Sequence, residues 1–185
     1  MKRLYEEMTE KSGEVFPGRK IVTGEGNLNA SLVLIGEAPG GEEEKQGRPF
    51  VGKAGKNLSE FLEILSLKRE DIYITNVVKL RPFKISEKTG RISNRPPNRD
   101  EVELFKPYLF RELEIIKPEI VVTLGNFALR AISGEKNIVI GDVHGEKLNK
   151  NGFCLFPLYH PASIIYNRGL KEVYLNDLSK LKEIL

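Results

Sequence analysis

Three short segments of this sequence carry side chains that can hold charge or form directed hydrogen bonds, and each stands where an apolar run stops. They are 36–40, 75–79 and 160–163, which contain Glu37, Asn76 and His160. Phe50 follows the first segment and adds an aromatic ring. A carboxylate, an amide, an imidazole and an aromatic surface are therefore available, and we expect them to serve one site.

The apolar runs predict the strands that bring these segments together. Predicted strands cover 31–35, 72–78, 119–124, 138–140 and 153–157, and helical patterns cover 54–65, 126–132, a stretch from Asp100 and the C-terminal end. The carboxyl ends of parallel strands meet at one edge of an open α/β sheet, where ligands bind. The alternation predicts an α/β fold, a single domain over 1–185 built as a three-layer α/β/α sandwich around a short, mostly parallel sheet.

Two features interrupt this pattern. Residues 81–99 are rich in Lys, Arg, Ser and Pro and predict a polar linker. Pro107 falls inside the helical pattern that follows Asp100. Because proline lacks a backbone N–H, we expect either a kink or a later helix start there.

Composition limits the class of protein. The formal charge of +3 over 185 residues is compatible with a nucleic-acid partner without requiring one. The single cysteine, Cys154, excludes a disulfide framework and a multi-cysteine metal site. No apolar run approaches the roughly 18 residues of a membrane span, and the N-terminus lacks the apolar segment of a signal peptide. We expect a cytoplasmic protein that does not bind membranes.

Each candidate residue also has a purely structural interpretation. Glu37 is compatible with a cap of the following turn, and Asn76 with a turn in which its side chain bonds the backbone. Phe50 is compatible with the core, and His160 with a restrained loop before proline. The glutamates at 42–44 are compatible with a solvated face, and we expect His144 to be structural.

The ordered set of motifs resembles the uracil-DNA glycosylase superfamily, most closely its fourth, largely thermophilic and archaeal family. The resemblance runs from Arg19 onward through Val22-x-Gly24-Glu25-Gly26, 36–55, 75–79, Leu124-Gly125 and His160-Pro161-Ala162. It implies a DNA-repair enzyme that flips uracil out of DNA and hydrolyses its N-glycosidic bond, leaving an abasic site.

The resemblance also implies the roles of individual residues. Glu37 would position water and face the cationic sugar, with Glu43 as a second acidic residue. His160 would donate a hydrogen bond to the developing charge on uracil O2. Phe50 would stack on the flipped base, and Asn76 would bond uracil O4 and N3–H. The same resemblance places Gly36, Ala38 and Gly40 in the substrate pocket.

Flipping a base out of DNA costs a few kcal/mol and leaves a gap in the helix. Contacts to DNA outside the pocket are therefore expected. The residues after His160 would fill the gap as an apolar wedge; they are Ala162, Ser163, Ile164 and Ile165. Ser163 would also offer its hydroxyl to a phosphate. Lys53, Lys79 and Arg81 would add positive charge near the DNA backbone, where contacts dominate affinity.

The chain departs from the fourth family at its iron–sulfur cluster. Most members hold a four-iron, four-sulfur cluster on four cysteines, whereas this chain has Leu80 and Phe105 at or near two of those positions and no cysteine in residues 1–20. One thiol cannot ligate such a cluster. We therefore expect no cofactor and no metal, with Leu80 and Phe105 closing the space by packing.

A sister branch captures its uracil DNA covalently with a histidine at the end of a basic loop in the 81–99 region. Ser93 stands at that position here, and serine is a poor nucleophile without an adjacent base. We expect no covalent capture. The basic residues of the linker are expected to contact phosphates or stay solvated; they are Arg81, Lys84, Lys88, Arg91 and Arg95.

Two alternatives to uracil excision stay open at this point. One is a protein that binds uracil-containing or otherwise damaged DNA without turnover, if the acid arrangement fails. The other is a glycosylase for another base, such as a deaminated purine or a mismatched thymine. In each case the expected partner is DNA, and we expect a monomer.

Overall fold

A computed structural model describes residues 1–150, 152–167 and 169–185, without the side chain of Ile165. Its helices are α1 (Lys2–Val15), α2 (Gly41–Gln46), α3 (Lys53–Ile64), α4 (Arg99–Ile116), α5 (Asn126–Ser133), α6 (Ile140–Val143), α7 (Pro161–Tyr166) and α8 (Leu170–Lys182). Its strands are β1 (Glu25–Gly26), β2 (Leu32–Gly36), β3 (Tyr73–Asn76), β4 (Phe83–Ile85), β5 (Ile92–Asn94), β6 (Ile120–Leu124), β7 (Leu148–Lys150) and β8 (Phe153–Leu158). No helix among these residues is long and apolar enough to cross a membrane.

Six strands form one sheet in the order β1-β3-β2-β6-β8-β7. The four inner strands are parallel, and the short outer strands β1 and β7 pair with them antiparallel. The predicted α/β architecture with a mostly parallel sheet is therefore confirmed. Gly36 and Asn76 are register partners at the ends of β2 and β3, so two of the predicted segments begin side by side.

The core lies on both faces of this sheet because successive side chains of a strand point to opposite sides. One face packs against α1, α4 and α5, with Val33, Ile35, Val121 and Leu155 from the strands. The other packs against α3 and α8, with Leu32, Leu34, Val122 and Phe156. Helices thus cover both faces, as the sequence predicts.

One local prediction is wrong. The apolar run at 138–140 is not a strand, because Ile140 instead begins the short helix α6 and turns its buried side chain into the core. Of the two outcomes expected at Pro107, the later helix start does not occur, because α4 begins at Arg99 and contains Pro107. Its first turn is held by Asn98, whose side chain accepts a hydrogen bond from the Glu101 N–H at 2.9 Å.

The predicted polar linker contains regular structure. Strands β4 and β5 form an antiparallel hairpin of their own, with Phe83 opposite Asn94 and Ile85 opposite Ile92. The hairpin is not part of the main sheet. Arg81 joins it to α2, because its guanidinium bonds both Asn94 of β5 and Glu44 of α2.

Candidate active site

The carboxyl ends of β2 and β3 bring Gly36, Phe50 and Asn76 into close approach. A Cβ atom on Gly36 would lie 2.4 Å from Asn76 Oδ1 and 2.5 Å from Phe50 Cζ. Both separations are shorter than real Cβ contacts, so any other residue here would displace the amide or the ring. The glycine lets an amide and an aromatic ring meet over the end of a strand.

These side chains line a cavity of about 750 Å³, which we call the Asn76 cavity. Its walls include Ala38, Gly40, Glu43, Phe50, Lys53, Asn76, Arg81, His160 and Ala162. The rings of Phe50 and His160 are stacked, with centroids 5.9 Å apart and planes inclined by 27°. The structure therefore brings together the aromatic, the amide and the imidazole that the sequence predicts to act on a base.

The Asn76 amide is positioned to recognise a ligand. Asn76 is only 3 % exposed, yet within residues 1–150, 152–167 and 169–185 no protein group hydrogen-bonds with its side chain. The interpretation of Asn76 as a residue that bonds its own turn does not hold. Polar groups of low exposure are normally hydrogen-bonded, so this amide in the cavity wall is available to water or to a ligand.

Phe50 is held by Arg69, which the sequence patterns do not single out. Its backbone adopts a left-handed conformation with φ of 51°, which a non-glycine residue rarely occupies. The Arg69 guanidinium donates a hydrogen bond to the Phe50 carbonyl at 3.2 Å and another to the Pro49 carbonyl. Glu25 in turn accepts from Arg69 at 3.3 Å. The Glu25 motif in the sequence was the available signal for this support.

His160 is fixed in one tautomer. Its Nδ1 atom accepts a hydrogen bond from the Ala162 N–H at 3.1 Å, at the first turn of α7. The ring proton of the neutral imidazole is then carried by Nε2, which can donate into the cavity. Burial lowers the pKa of His160 to about 4, so the ring is neutral at physiological pH.

Glu37 faces a second cavity of about 830 Å³, the Glu37 cavity, which His160 and Ser163 also line. Burial raises the pKa of the half-buried Glu37 carboxyl. No described residue hydrogen-bonds with that carboxyl, so it does not cap the following turn. His160 lines both cavities, so they adjoin at the imidazole ring.

Glu43 has a structural task at the same site. Its two carboxylate oxygens accept hydrogen bonds from the backbone N–H groups of Gly40, at 3.1 Å, and Gly52, at 2.8 Å. The side chain therefore joins the loop before α2 to the loop before α3. The structure thus gives Glu43 a loop-positioning role, and the catalytic role expected from the resemblance stays a prediction.

The expected contact of Lys79 with DNA is wrong. Lys79 is fully buried, and its ammonium group lies 2.6 Å from a carboxylate oxygen of Glu112 and also bonds the Thr75 hydroxyl. Tyr5 donates to the other Glu112 oxygen at 2.7 Å. This buried network ties β3 and the segment after it to α1 and α4, and it cannot reach a phosphate.

The other two cations predicted to contact DNA, Lys53 and Arg81, differ in exposure and in their partners. Lys53 is exposed at the start of α3 and lines the Asn76 cavity. Arg81 lines the same cavity but is mostly buried, with Glu44 at 3.2 Å and Asn94 at 2.8 Å. Lys53 is thus free to meet a phosphate, whereas Arg81 chiefly joins the β4–β5 hairpin to α2.

Helix α7 carries the predicted wedge. Ala162 borders the Asn76 cavity and Ser163 borders the Glu37 cavity, whereas Ile164 is half-buried against the core. The side chain of Ile165 lies outside the described residues. Tyr166, which the sequence did not indicate, is 89 % exposed at the end of this helix.

His144 lies apart from these groups. Its Nδ1 atom is 2.7 Å from a carboxylate oxygen of the buried Asp177, and its ring packs at 4.9 Å against Tyr159. It lines neither cavity. The structure supports the structural role expected for it.

The residues present do not fit the iron–sulfur cluster that the fourth family implies. Leu80 and Phe105 are both fully buried in one apolar cluster with Met8 of α1. The one thiol of the chain, Cys154, lies on β8. Within the described residues, no group of three or more His, Cys, Asp or Glu side chains could hold a metal ion. Apolar packing occupies this region instead.

The model of the Uracil DNA glycosylase superfamily matches residues 23–180. The chain belongs to this superfamily. A type-4 uracil-DNA glycosylase of Sulfurisphaera tokodaii is 42% identical over 171 residues, which are 88% of this chain and 74% of that protein. One from Thermotoga maritima is 39% identical over 89% of this chain and 83% of that protein. A type-5 uracil-DNA glycosylase of Pyrobaculum aerophilum is 33% identical over 78% of this chain and 66% of that protein. The resemblance to the fourth family is confirmed.

Proposed function

We propose that this protein excises uracil from DNA by hydrolysis of the N-glycosidic bond, leaving an abasic site for base excision repair. The observation that carries the proposal is the meeting of Phe50, Asn76 and His160 in one cavity. The type-4 relatives, whose names give this activity, support it.

The Asn76 cavity suits a flipped uracil. The Phe50 ring offers a stacking surface, and the free Asn76 amide offers an acceptor for N3–H and a donor for O4. Cytosine presents the opposite pattern, a ring nitrogen acceptor and an amino donor. A site that hydrogen-bonds one pattern rejects the other strongly, because its buried polar groups would be left unpaired.

The charges that develop during cleavage meet matching groups. Rupture of the glycosidic bond leaves an oxocarbenium-like sugar and a uracil anion. The Nε2–H of neutral His160 donates to the anion at O2, and the Glu37 carboxylate faces the cationic sugar and the attacking water. Preorganised charges and dipoles of this kind act strongly where water is excluded.

The first experiment treats a labelled oligonucleotide containing one uracil with the protein and then with hot alkali, which cuts at abasic sites. Wild type should give scission, and Asn76→Ala and Glu37→Gln should lose it. Exposed residues elsewhere provide matched controls, Asn149→Ala on β7 and Glu60→Gln on α3, and these should keep wild-type rates. Absence of scission with wild type, while the oligonucleotide still binds, would replace excision with damage recognition.

Other deaminated bases are tested in the same assay. Equal release of hypoxanthine would mean that Asn76 does not set specificity. We further propose that the protein acts as a monomer, because a single chain already brings together the groups that this chemistry requires: Glu37, Phe50, Asn76 and His160.

A further inference from the structure

The hairpin of β4 and β5 exposes an unusual apolar pair. Ile85 and Ile92 are register partners, and they are 59 % and 49 % exposed. Partners directly opposite each other in an antiparallel pair point to the same side of the strands. Two large aliphatic side chains therefore stand next to each other in solvent, on a hairpin whose residues from 87 to 94 are all exposed.

Positive charge surrounds this pair. Lys84, Lys88 and Arg91 lie on the hairpin, against a single acidic residue, Glu87. The cations at the base of the hairpin are already paired, Arg81 with Glu44 and Arg95 with Glu101. Within the described part of the chain, the three outer cations form no ion pair. Their charge is available to an anionic partner.

The hairpin stands at the opening of the Asn76 cavity. Arg91 and Asn94 line this cavity together with His160 and Ala162 at the start of α7. Asn94 and Ile92 are two residues apart on β5, so they share a face of the strand. The apolar pair therefore continues outward from the cavity wall, and the hairpin and α7 both border the opening.

The base of the hairpin is held in place before any partner binds. Arg81 donates to Asn94 at 2.8 Å, and the Arg19 guanidinium lies 4.4 Å from the centre of the Phe83 ring. Arg95 donates to both carboxylate oxygens of Glu101, at 2.7 and 2.8 Å. A surface fixed in this way loses little conformational freedom on binding.

We propose that this hairpin is a second DNA-binding surface, in which Ile85 and Ile92 pack against an unstacked base next to the flipped nucleotide. Lys84, Lys88 and Arg91 contact the phosphates on either side of that base. Apolar side chains inserted at an opened base step, flanked by cations on the backbone, are a recurring solution in DNA-bending proteins. The inference rests on the proposed function, because it takes the flipped base to lie in the Asn76 cavity.

The first test separates contacts at the hairpin from contacts in the cavity. The double variant Ile85→Ser/Ile92→Ser is compared with Ile115→Ser, which alters an isoleucine of α4 that is 45 % exposed. Uracil release is measured on a long oligonucleotide and on a trinucleotide with uracil in the middle, too short to extend along the hairpin. The double variant should raise KM about tenfold on the long substrate only. An equal change on both substrates, or no change beyond that of Ile115→Ser, would overturn the proposal.

The second test concerns the cations. Arg91→Ala should lower the salt dependence of binding to the long oligonucleotide by about one unit of the log–log slope, as expected for the loss of one phosphate contact. Lys136→Ala, at an exposed lysine away from the cavity, should leave the slope unchanged. A slope that both variants leave unchanged would remove Arg91 from the interface.

Direct binding distinguishes failure of this inference from failure of the proposed function. If wild type released no uracil, anisotropy with the same long oligonucleotide would still show weaker binding by the double variant, and the hairpin surface would stand alone. If uracil release were normal and the hairpin variants bound as wild type does, only the hairpin inference would fall. Loss of a concentration-dependent dimer in the double variant would make the apolar pair a contact between copies of this chain and would also overturn it.

Discussion

The backbone N–H of Ala162 donates a hydrogen bond to Nδ1 of His160 at 3.1 Å. This one bond determines which ring nitrogen carries the proton, and burial then keeps the ring neutral by lowering its pKa to about 4. A neutral donor suits stabilisation of a uracil anion, because its proton is shared with the base and need not be transferred. The helix start therefore both positions and defines the chemical state of the imidazole.

The depressed pKa predicts how stability depends on pH. Above pH 6.5 the His160 ring is neutral in both folded and unfolded chains, so it has no effect. As the pH falls from about 6.5 to about 4, the unfolded chain binds a proton that the folded chain does not, and the free energy of unfolding should decrease by up to about 3 kcal/mol. Urea unfolding of wild type and His160→Gln at both ends of this range should show the extra loss only in wild type.

The ring titration itself provides an independent check. The His160 resonances in an NMR pH titration should shift only near pH 4, and uracil release should show no limb from this residue between pH 5 and 8. A His160 midpoint near 6.5 would mean that the ring is hydrated, and it would contradict the donor role described above.

Two glutamates close in sequence should respond differently to the same substitution. Glu37→Gln removes a half-buried carboxylate that has no hydrogen-bond partner among the described residues, so stability should be unchanged or slightly higher while uracil release falls at least about 100-fold. Glu43→Gln replaces an acceptor of two backbone bonds, so it should cost about 1–3 kcal/mol in the free energy of unfolding. Thermal unfolding and single-turnover rates on both variants test the distinction. Equal rate losses with no change in the stability of Glu43→Gln would restore Glu43 to a catalytic role.

The buried strands of the main sheet could be predicted from sequence patterns. The buried runs at β2, β6 and β8 were predicted nearly to their ends, because a strand covered on both faces is a continuous apolar stretch. The β4–β5 hairpin was missed because each of its strands has only three residues, too few for an alternating pattern to stand out, and because most of these residues are exposed. A strand could therefore be predicted from its sequence where it is buried against the rest of the fold.

The same limit applies to the site. Asn76 and His160 were predictable because they stand at, or just after, the ends of buried strands. The burial of Lys79 was not predictable. Nothing near it in the sequence indicates that Glu112, 33 positions later on α4, supplies its counter-charge. Arg69 was missed for a similar reason, since its contacts are with backbone carbonyls about 20 residues earlier.

The buried pair of Lys79 and Glu112 predicts that Lys79 stabilises the fold and does not contact DNA. Lys79→Met leaves a buried carboxylate without its counter-charge and should cost about 3–5 kcal/mol, whereas Lys79→Met/Glu112→Leu should recover much of that loss. In the folded double variant, the salt dependence of DNA binding should equal that of wild type. Lys53→Ala, by comparison, should lower the log–log slope by about one. A lower slope in the double variant would show that Lys79 does meet a phosphate.

The support of Phe50 by Arg69 predicts that a lysine cannot replace this arginine without loss of activity. Arg69 holds the carbonyls of Pro49 and Phe50 with separate guanidinium nitrogens, a geometry that a lysine ammonium does not reproduce. Arg69→Lys should therefore loosen the left-handed backbone at Phe50 and lower kcat/KM for uracil release by about tenfold or more, because the ring no longer lies where the base must stack.

The matched control is Arg48→Lys. Arg48 pairs with the same Glu25, at 2.6 Å, but its side chain is 54% exposed and it forms no hydrogen bond with either carbonyl among the described contacts. Rates within twofold of wild type for Arg48→Lys, beside a clear loss for Arg69→Lys, would locate the effect at Phe50. Equal losses would instead assign it to the Glu25 ion pairs.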